Sequence, residues 1–188
     1  AELARNGTTE STVYTLSFWV KKAVQNTAST LFSASSRGQT ISYNASNQLF
    51  YNQSATSGTT TAVYRDPAAW YHVVYNYVSD TDTLSLWVNG ESEDQNLSNG
   101  ANSWGGDITI GDSGGTQNYY MAEVYFIDGQ ALLLTAFGRE NDDGVWVPRE
   151  VDFTPAEMRY SDFLTCPTPI WTGQTENDAS GAFDGQTD

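Results

Sequence analysis

The sequence predicts an all-β protein: an antiparallel β-sandwich of two sheets, followed by a proline-containing C-terminal extension. First, short runs of alternating apolar and polar residues recur, and each is bounded by Asn, Ser or Gly. Second, Lys21 and Lys22 are the only lysines, whereas Thr, Ser and Tyr are abundant, which favours strands over long helices. Third, 39% of the 188 residues are hydrophobic and 13% are aromatic, enough for the core of one domain.

The first clear strand covers residues 13–20, where apolar and polar side chains alternate. This alternation puts the apolar side chains on one face and Ser17 and Trp19 on the other. Similar short runs, spaced as in a sandwich, predict further strands at residues 30–34, 40–43, 48–51 and 60–64.

The strongest signal for a strand–turn–strand unit lies near the middle of the chain. Residues 70–78 predict a long strand, residues 79–82 a polar turn, and residues 83–88 the returning strand. Asn89-Gly90 follows at once, and this pair is typical of the type I′ turn of a hairpin.

The last predicted strands cover residues 107–111 and 119–127, and residues 132–138 predict one or two helical turns. Residues 1–147 are therefore predicted to form the sandwich domain. Four of the five prolines lie at or after Pro148, so residues 148–175 are interpreted as an extended arm or linker. Residues 176–188 are interpreted as the start of a further module or as a tail.

The net charge of −15 argues against a nucleic-acid partner and against an anionic membrane surface, because phosphates would be repelled. No apolar run approaches the roughly 18 residues that span a bilayer. Cys166 is the single cysteine, so no internal disulfide forms, which suits assembly in a reducing cytoplasm.

Two blocks of sequence carry a resemblance to known families. Residues 70–74, 84–90 and 108–111 resemble the W-x-H-V, L-x-L-x-V-N-G and I-x-I-G pattern of laminin G-like and concanavalin A-like lectin domains. Residues 120–132, followed by residues 137–138 and 144–148, closely resemble a segment that recurs in structural proteins of marine bacteriophages. The resemblance implies a concanavalin A-like jelly-roll sandwich in a tail fibre or other virion appendage.

What the resemblance implies for function is adhesion or recognition of a host-surface glycan. Partners would be other virion subunits in a homo-oligomer, for which a trimer is one option, and the protein would be made in the host cytoplasm. A purely structural virion or capsid-decoration domain is the first alternative. A depolymerase of surface polysaccharide is the second, since the fold hosts many functions.

Enzymatic chemistry is not predicted. Laminarinase-type relatives carry E-x-D-x-x-E on one strand, and the nearest match here is Glu123 with Asp128, whose odd spacing sends the side chains to opposite strand faces. A Cys166–His72 pair is formally available as a nucleophile and base, but His72 lies inside an aromatic strand and is interpreted as a packed core residue.

Trp104 is the candidate sugar-stacking residue, because it lies in a Gly- and Asn-rich loop, with Asn102, Asp107 and Tyr119 as polar partners. The alternative is that Trp104 covers the end of the core. Trp19 and Trp87 are expected to line a concave sheet, to pack beneath the proline-rich arm, or to meet another subunit.

Calcium is considered as a cofactor because laminin G-like domains often bind it at the sandwich rim. The candidate ligands are Asp80 and Asp82 in one turn and Asp112 after a strand, since hard cations prefer carboxylate oxygens. The alternative interpretation of these residues is turn formation and capping.

Overall fold

The computed structural model describes residues 3–35, 38–53, 56–93, 104–111 and 118–151. These residues form two antiparallel sheets that pack face to face, so the predicted fold class is confirmed. In chain order the strands are β1 (Leu3–Ser11), β2 (Val13–Lys22), β3 (Ser29–Ala34), β4 (Gln39–Tyr43), β5 (Leu49–Gln53), β6 (Thr56–Thr59), β7 (Tyr71–Val78), β8 (Thr83–Val88), β9 (Glu91–Ser92), β10 (Trp104–Ile110), β11 (Tyr119–Asp128), β12 (Gly138–Glu140) and β13 (Trp146–Pro148).

One sheet has six strands in the order β1-β10-β3-β4-β5-β6, and the other has five in the order β11-β2-β7-β8-β9. All neighbouring strands pair antiparallel. A separate hairpin of β12 and β13 forms a small two-stranded sheet. No helix within the described part of the chain is long and apolar enough to cross a membrane.

The main core lies between the two sheets, and the strand alternation predicts it well. Leu16, Phe18 and Val20 on β2 are fully buried in this core. The side chains of β8 that face inward, at every second position, are buried as well. Period-two patterning therefore identifies the inward faces of β2 and β8.

The turns of the predicted strand–turn–strand unit are confirmed. Asn89 and Gly90 connect β8 to β9, and both have positive φ angles of 51° and 87°, as a type I′ turn requires. Between β7 and β8 the chain forms a 3₁₀ turn at Ser79–Thr81, and Asp82 closes it in the left-handed region with φ 46°.

Two predicted elements differ in position. The strand expected at residues 60–64 is wrong, because β6 ends at Thr59. Thr60 instead uses its hydroxyl to accept the Leu49 amide and to donate to the Ala62 carbonyl, and this local bonding turns the chain out of the sheet. β10 begins at Trp104 rather than at residue 107, because residues 104–106 pair with β1.

Candidate functional site

The outer face of the five-stranded sheet is covered by the chain that follows β11. Thr15 on β2 anchors this cover: its hydroxyl donates to the Gln130 carbonyl at 2.9 Å and accepts the Leu132 amide at 2.8 Å. Asn76 on β7 donates from its side-chain amide to the Leu132 carbonyl at 2.6 Å. We refer to residues 129–151 as the cover segment.

A second apolar cluster lies beneath the cover segment. Val74 and Ile127 from the sheet are buried against Phe137 of the cover segment. Trp87 packs on this cluster, and Trp19 is only 7% exposed. Trp87 therefore lies beneath the cover segment, whose residues mostly precede the proline-rich arm under which the two tryptophans were expected, and this part of the outer face is closed to a ligand.

His72 lies between two tryptophans, one of them from the cover segment. Its ring stacks on Trp19 at 4.8 Å between centroids, and Trp146 lies nearly in the plane of the imidazole at 6.0 Å. The Trp146 indole N–H donates to His72 Nδ1 at 2.8 Å, so Nδ1 carries no proton. Burial lowers the pKa of His72 to about 4, which keeps the ring neutral. The packed role predicted for His72 is confirmed.

The contact between Ser17 and His72 is not a catalytic pair. His72 Nε2 lies 2.9 Å from Ser17 Oγ, and because Nδ1 accepts from Trp146, Nε2 carries the proton and donates it to Ser17. A general base would need the opposite tautomer, with Nε2 free to accept the serine proton. Cys166, the other formal partner of His72, lies outside the described residues.

The two carboxylates considered for glycan hydrolysis lie on the same strand, β11. Glu123 lies at a bulge in β11, with φ 48°, and its exposed side chain accepts the Tyr125 hydroxyl at 2.5 Å. This contact and burial raise the pKa of Tyr125 to about 12, burial being the larger cause. Asp128 ends the same strand, where the chain turns through Gly129.

Trp104 is a core residue, and the expectation that it offers an exposed stacking surface is wrong. Its side chain is 1% exposed, and its ring contacts Tyr14 at 6.0 Å and Phe126 at 6.4 Å between centroids. The alternative, that it covers the end of the core, is the one that the structure bears out. The physical reason is the large apolar area of an indole, which is stabilised between two aromatic neighbours.

The other predicted glycan residues do not gather around Trp104. Trp104 packs on Tyr14, near the start of β2. Tyr119 pairs with Lys22, which is the last residue of β2, so it lies at the other end of that strand. The Tyr119 hydroxyl is engaged with the Thr30 carbonyl at 2.8 Å. Asp107 is exposed on the outer face of the six-stranded sheet, and Asn102 lies outside the described residues.

The described residues do not assemble the predicted calcium site. Asp82 accepts a hydrogen bond from the Tyr77 hydroxyl at 3.2 Å and closes the 3₁₀ turn, while Asp80 is exposed on that turn. No group of three metal-ligating side chains comes together within residues 3–35, 38–53, 56–93, 104–111 and 118–151. Asp112 lies outside these ranges.

The end of the sandwich near Lys22 holds a buried cation. Lys22 is 1% exposed; its Nζ donates to Asn47 Oδ1 at 2.9 Å and lies 4.8 Å from the centre of the Tyr43 ring. Burial lowers the pKa of Lys22 and raises that of Tyr43. Nearby, the Tyr64 hydroxyl donates a hydrogen bond to Glu93. The burial of these groups makes them a part of the packed interior rather than an open site.

The outer face of the six-stranded sheet has a different character, because no described segment of the chain lies over it. Its outward side chains form two rows that cross the strands in register. One row is Thr30, Ser42, Phe50 and Thr59, and the other is Thr109, Ser33, Thr40, Asn52 and Ser57. We refer to these nine residues as the hydroxyl face.

Sequence reasoning missed the hydroxyl face, although a signal was present. The predicted strands at 30–34, 40–43 and 48–51 contain no charged residue, and their non-aromatic polar residues are Thr30, Ser33, Thr40, Ser42 and Gln48. Reading those positions across neighbouring strands requires the register, which alternation within one strand does not supply.

Comparisons with known proteins agree with this architecture. A sequence model described as the concanavalin A-like lectin/glucanases superfamily matches residues 1–128. No curated protein matches the sequence.

Solved structures with the same fold include proteins of several kinds. A heptameric SAP-like pentraxin from Limulus polyphemus matches over 70% of this chain and 71% of its own, with 16% identity and a TM-score of 0.52. The receptor-binding domain of botulinum neurotoxin type G matches over 71% of this chain and 40% of its own, with 15% identity and a TM-score of 0.50. A sialidase matches over 68% of this chain and 14% of its own, with 10% identity and a TM-score of 0.50. Likeness at these identities shows the fold alone.

Proposed function

Because the chain belongs to the concanavalin A-like lectin/glucanase superfamily, we propose that it is a glycan-binding domain. It is carried on a tail fibre or another appendage of a bacteriophage virion and recognises polysaccharide on the host surface. The proposed role is binding without catalysis, since the buried Ser17–His72 contact has the wrong tautomer for a base and no E-x-D-x-x-E motif is present.

The observation that carries the glycan-binding role is the contrast between the two outer faces of the sandwich. The cover segment buries the central part of the outer face of the five-stranded sheet against Phe137 and Trp146. The six-stranded sheet instead presents the hydroxyl face, whose Ser, Thr and Asn side chains donate and accept hydrogen bonds in the way that sugar hydroxyls require. A few placed polar groups around an aromatic ring are what fixes a small ligand in orientation.

The virion part of the proposal rests on the resemblance of residues 120–132, 137–138 and 144–148 to the bacteriophage segment. In this chain these residues include most of β11, the start of β12 and all of β13; β11 is a strand of the five-stranded sheet, and the β12–β13 hairpin belongs to the cover segment over its outer face. A sandwich with one closed and one open face is suited to a subunit that presents a single binding surface.

The test of glycan binding is affinity electrophoresis through native gels that contain purified host-surface polysaccharide. We expect the folded protein to be retarded relative to a gel without polysaccharide, and an acidic protein of similar size to migrate equally in both. Equal mobility of the chain in every gel, together with no binding to intact host cells, would contradict the proposed function.

A structural role in the virion is the second candidate, and exposed apolar side chains favour it. Leu133 is 70% and Val145 is 55% exposed, and both lie on the cover segment. Large exposed apolar side chains are candidates for contacts with another protein. Light scattering after size exclusion distinguishes the two roles: a Leu133→Ser and Val145→Ser double variant that turns an oligomer into a monomer supports a subunit contact on this side.

A further inference from the structure

We propose that the hydroxyl face binds a neutral glycan, with Phe50 as the ring on which a sugar stacks. This inference rests on the proposed function and specifies its site and its ligand class.

The geometry of the sheet places Phe50 inside a polar patch. In register, Phe50 stands between Ser42 on β4 and Thr59 on β6, and Thr40 and Asn52 stand side by side in the neighbouring row. Adjacent strands lie about 4.8 Å apart, and rows two residues apart are separated by roughly 7 Å. The five-membered row therefore extends over about 19 Å, a patch that accommodates a short stretch of polysaccharide.

The chemistry of the patch matches that of a sugar. Phe50 is half-buried, so its ring is held by the sheet while part of it remains accessible, and the C–H face of a pyranose packs on such a ring. The Asn52 side-chain amide donates to the Gly38 carbonyl at 3.3 Å, which orients the group and leaves its oxygen as an acceptor. Ser57 and Thr59 are exposed and carry hydroxyls beside it.

The charge distribution selects a neutral ligand over an acidic one. None of the nine residues of the hydroxyl face is charged, so no Arg or Lys of this patch pairs with a sugar carboxylate or sulfate. The exposed carboxylate beside the patch belongs to Asp107, two residues before Thr109 on β10. The chain as a whole carries a net charge of −15, which repels polyanions.

The test uses affinity electrophoresis in matched gels of neutral polysaccharides (dextran, mannan) and acidic ones (dextran sulfate, alginate), together with the host-surface polysaccharide. We expect retardation by at least one neutral polysaccharide. Raising NaCl from about 0.05 M to about 0.5 M leaves this retardation unchanged, because screening acts only on charged contacts.

Two variants test whether the hydroxyl face is the binding site. Phe50→Ala is expected to weaken binding about tenfold, since it removes the stacking surface. Thr59→Glu, at an exposed position beside it, introduces charge without disturbing the core and is expected to weaken binding as well. The matched control is Tyr120→Ala, whose ring is 62% exposed on β11 of the other sheet, and its binding is expected to equal that of the parent.

The outcomes separate this inference from the proposed function. Retardation of the parent that persists in both Phe50→Ala and Thr59→Glu leaves the glycan-binding role in place and overturns the assignment of the hydroxyl face. Retardation only by acidic polysaccharides, abolished by salt, overturns the neutral ligand. A parent that no neutral, acidic or host polysaccharide retards contradicts the proposed function and this inference with it. Circular dichroism and thermal unfolding confirm that each variant is folded.

Discussion

Protonation of His72 is expected to destabilise the fold between about pH 6.5 and about pH 4. The unfolded chain takes up the proton near the ordinary histidine pKa of about 6.5, whereas in the folded protein the pKa of His72 is lowered to about 4. The stabilisation is fully present above the unfolded pKa and is lost as pH falls towards the folded one. A difference of about 2.5 pKa units corresponds to about 3 kcal/mol.

The structure explains the direction of this effect. A proton on Nδ1 would point at the Trp146 indole N–H, which now donates to that nitrogen at 2.8 Å, so two donors would face each other. The ring of Trp19, stacked on one face of His72, would attract an imidazolium by about 0.5–2 kcal/mol. Burying an unpaired charge costs more than this, and the neutral ring therefore prevails.

The assay is urea denaturation of the parent and of His72→Gln at pH 7.5 and at pH 4. Carboxylates also titrate in this range, but their contribution is shared by both proteins and cancels in the difference between the two pH effects. The parent is expected to lose about 3 kcal/mol more than the variant. Because the chain has one histidine, its ring resonances also report the pKa directly by NMR.

Equal losses in the parent and in His72→Gln would refute this reasoning, as would an NMR pKa near 6.5. Either result would mean that the ring is solvated and that the cover segment does not seal it.

Three further outcomes follow from the packing. Trp146→Ala should lower the free energy of unfolding by about 3–5 kcal/mol in urea denaturation, while Trp70→Ala, at a 40% exposed position, should change it by less than about 1 kcal/mol. Trp104→Ala should cost about 3–5 kcal/mol of stability but leave retardation of the folded protein by polysaccharide unchanged. Lys22→Met should leave the free energy of unfolding unchanged or raise it by about 1–2 kcal/mol in the same assay, because a buried charge is removed. Asn47 Oδ1 keeps the hydrogen bond that it accepts from the Asn26 amide. A loss of stability above about 2 kcal/mol would contradict this prediction.

The packing of Trp146 also limits which residues fit beneath it. A Cβ at Gly90 would lie 2.7 Å from the Trp146 ring, and a Cβ at Gly138 would lie 2.5 Å from its indole nitrogen. Two constraints therefore require glycine at position 90: the positive φ of the type I′ turn and the close approach of the Trp146 ring. The sequence predicted only the first of these needs, because the second comes from a residue that lies far along the chain.

The observed position of Trp104 differs from the one that its neighbouring residues predict. Gly and Asn surround this residue and predict a loop, yet β10 begins at Trp104 and pairs with β1. The partner strand β1 has no apolar alternation in its sequence, so no local pattern predicts that β1 pairs with β10. The indole enters the core because Tyr14 and Phe126 arrive there from two other strands.

Alternation along each strand was enough to determine the all-β class, the inward faces of β2 and β8, and the turn at Asn89-Gly90, because these depend on neighbours a few residues apart. The tertiary structure alone decided which outer face is closed and which is open. His72 and Trp146 meet across 74 positions of sequence, and the two rows of the hydroxyl face join side chains from five strands. Such contacts depend on strand order and register, which the pattern within a single strand does not contain.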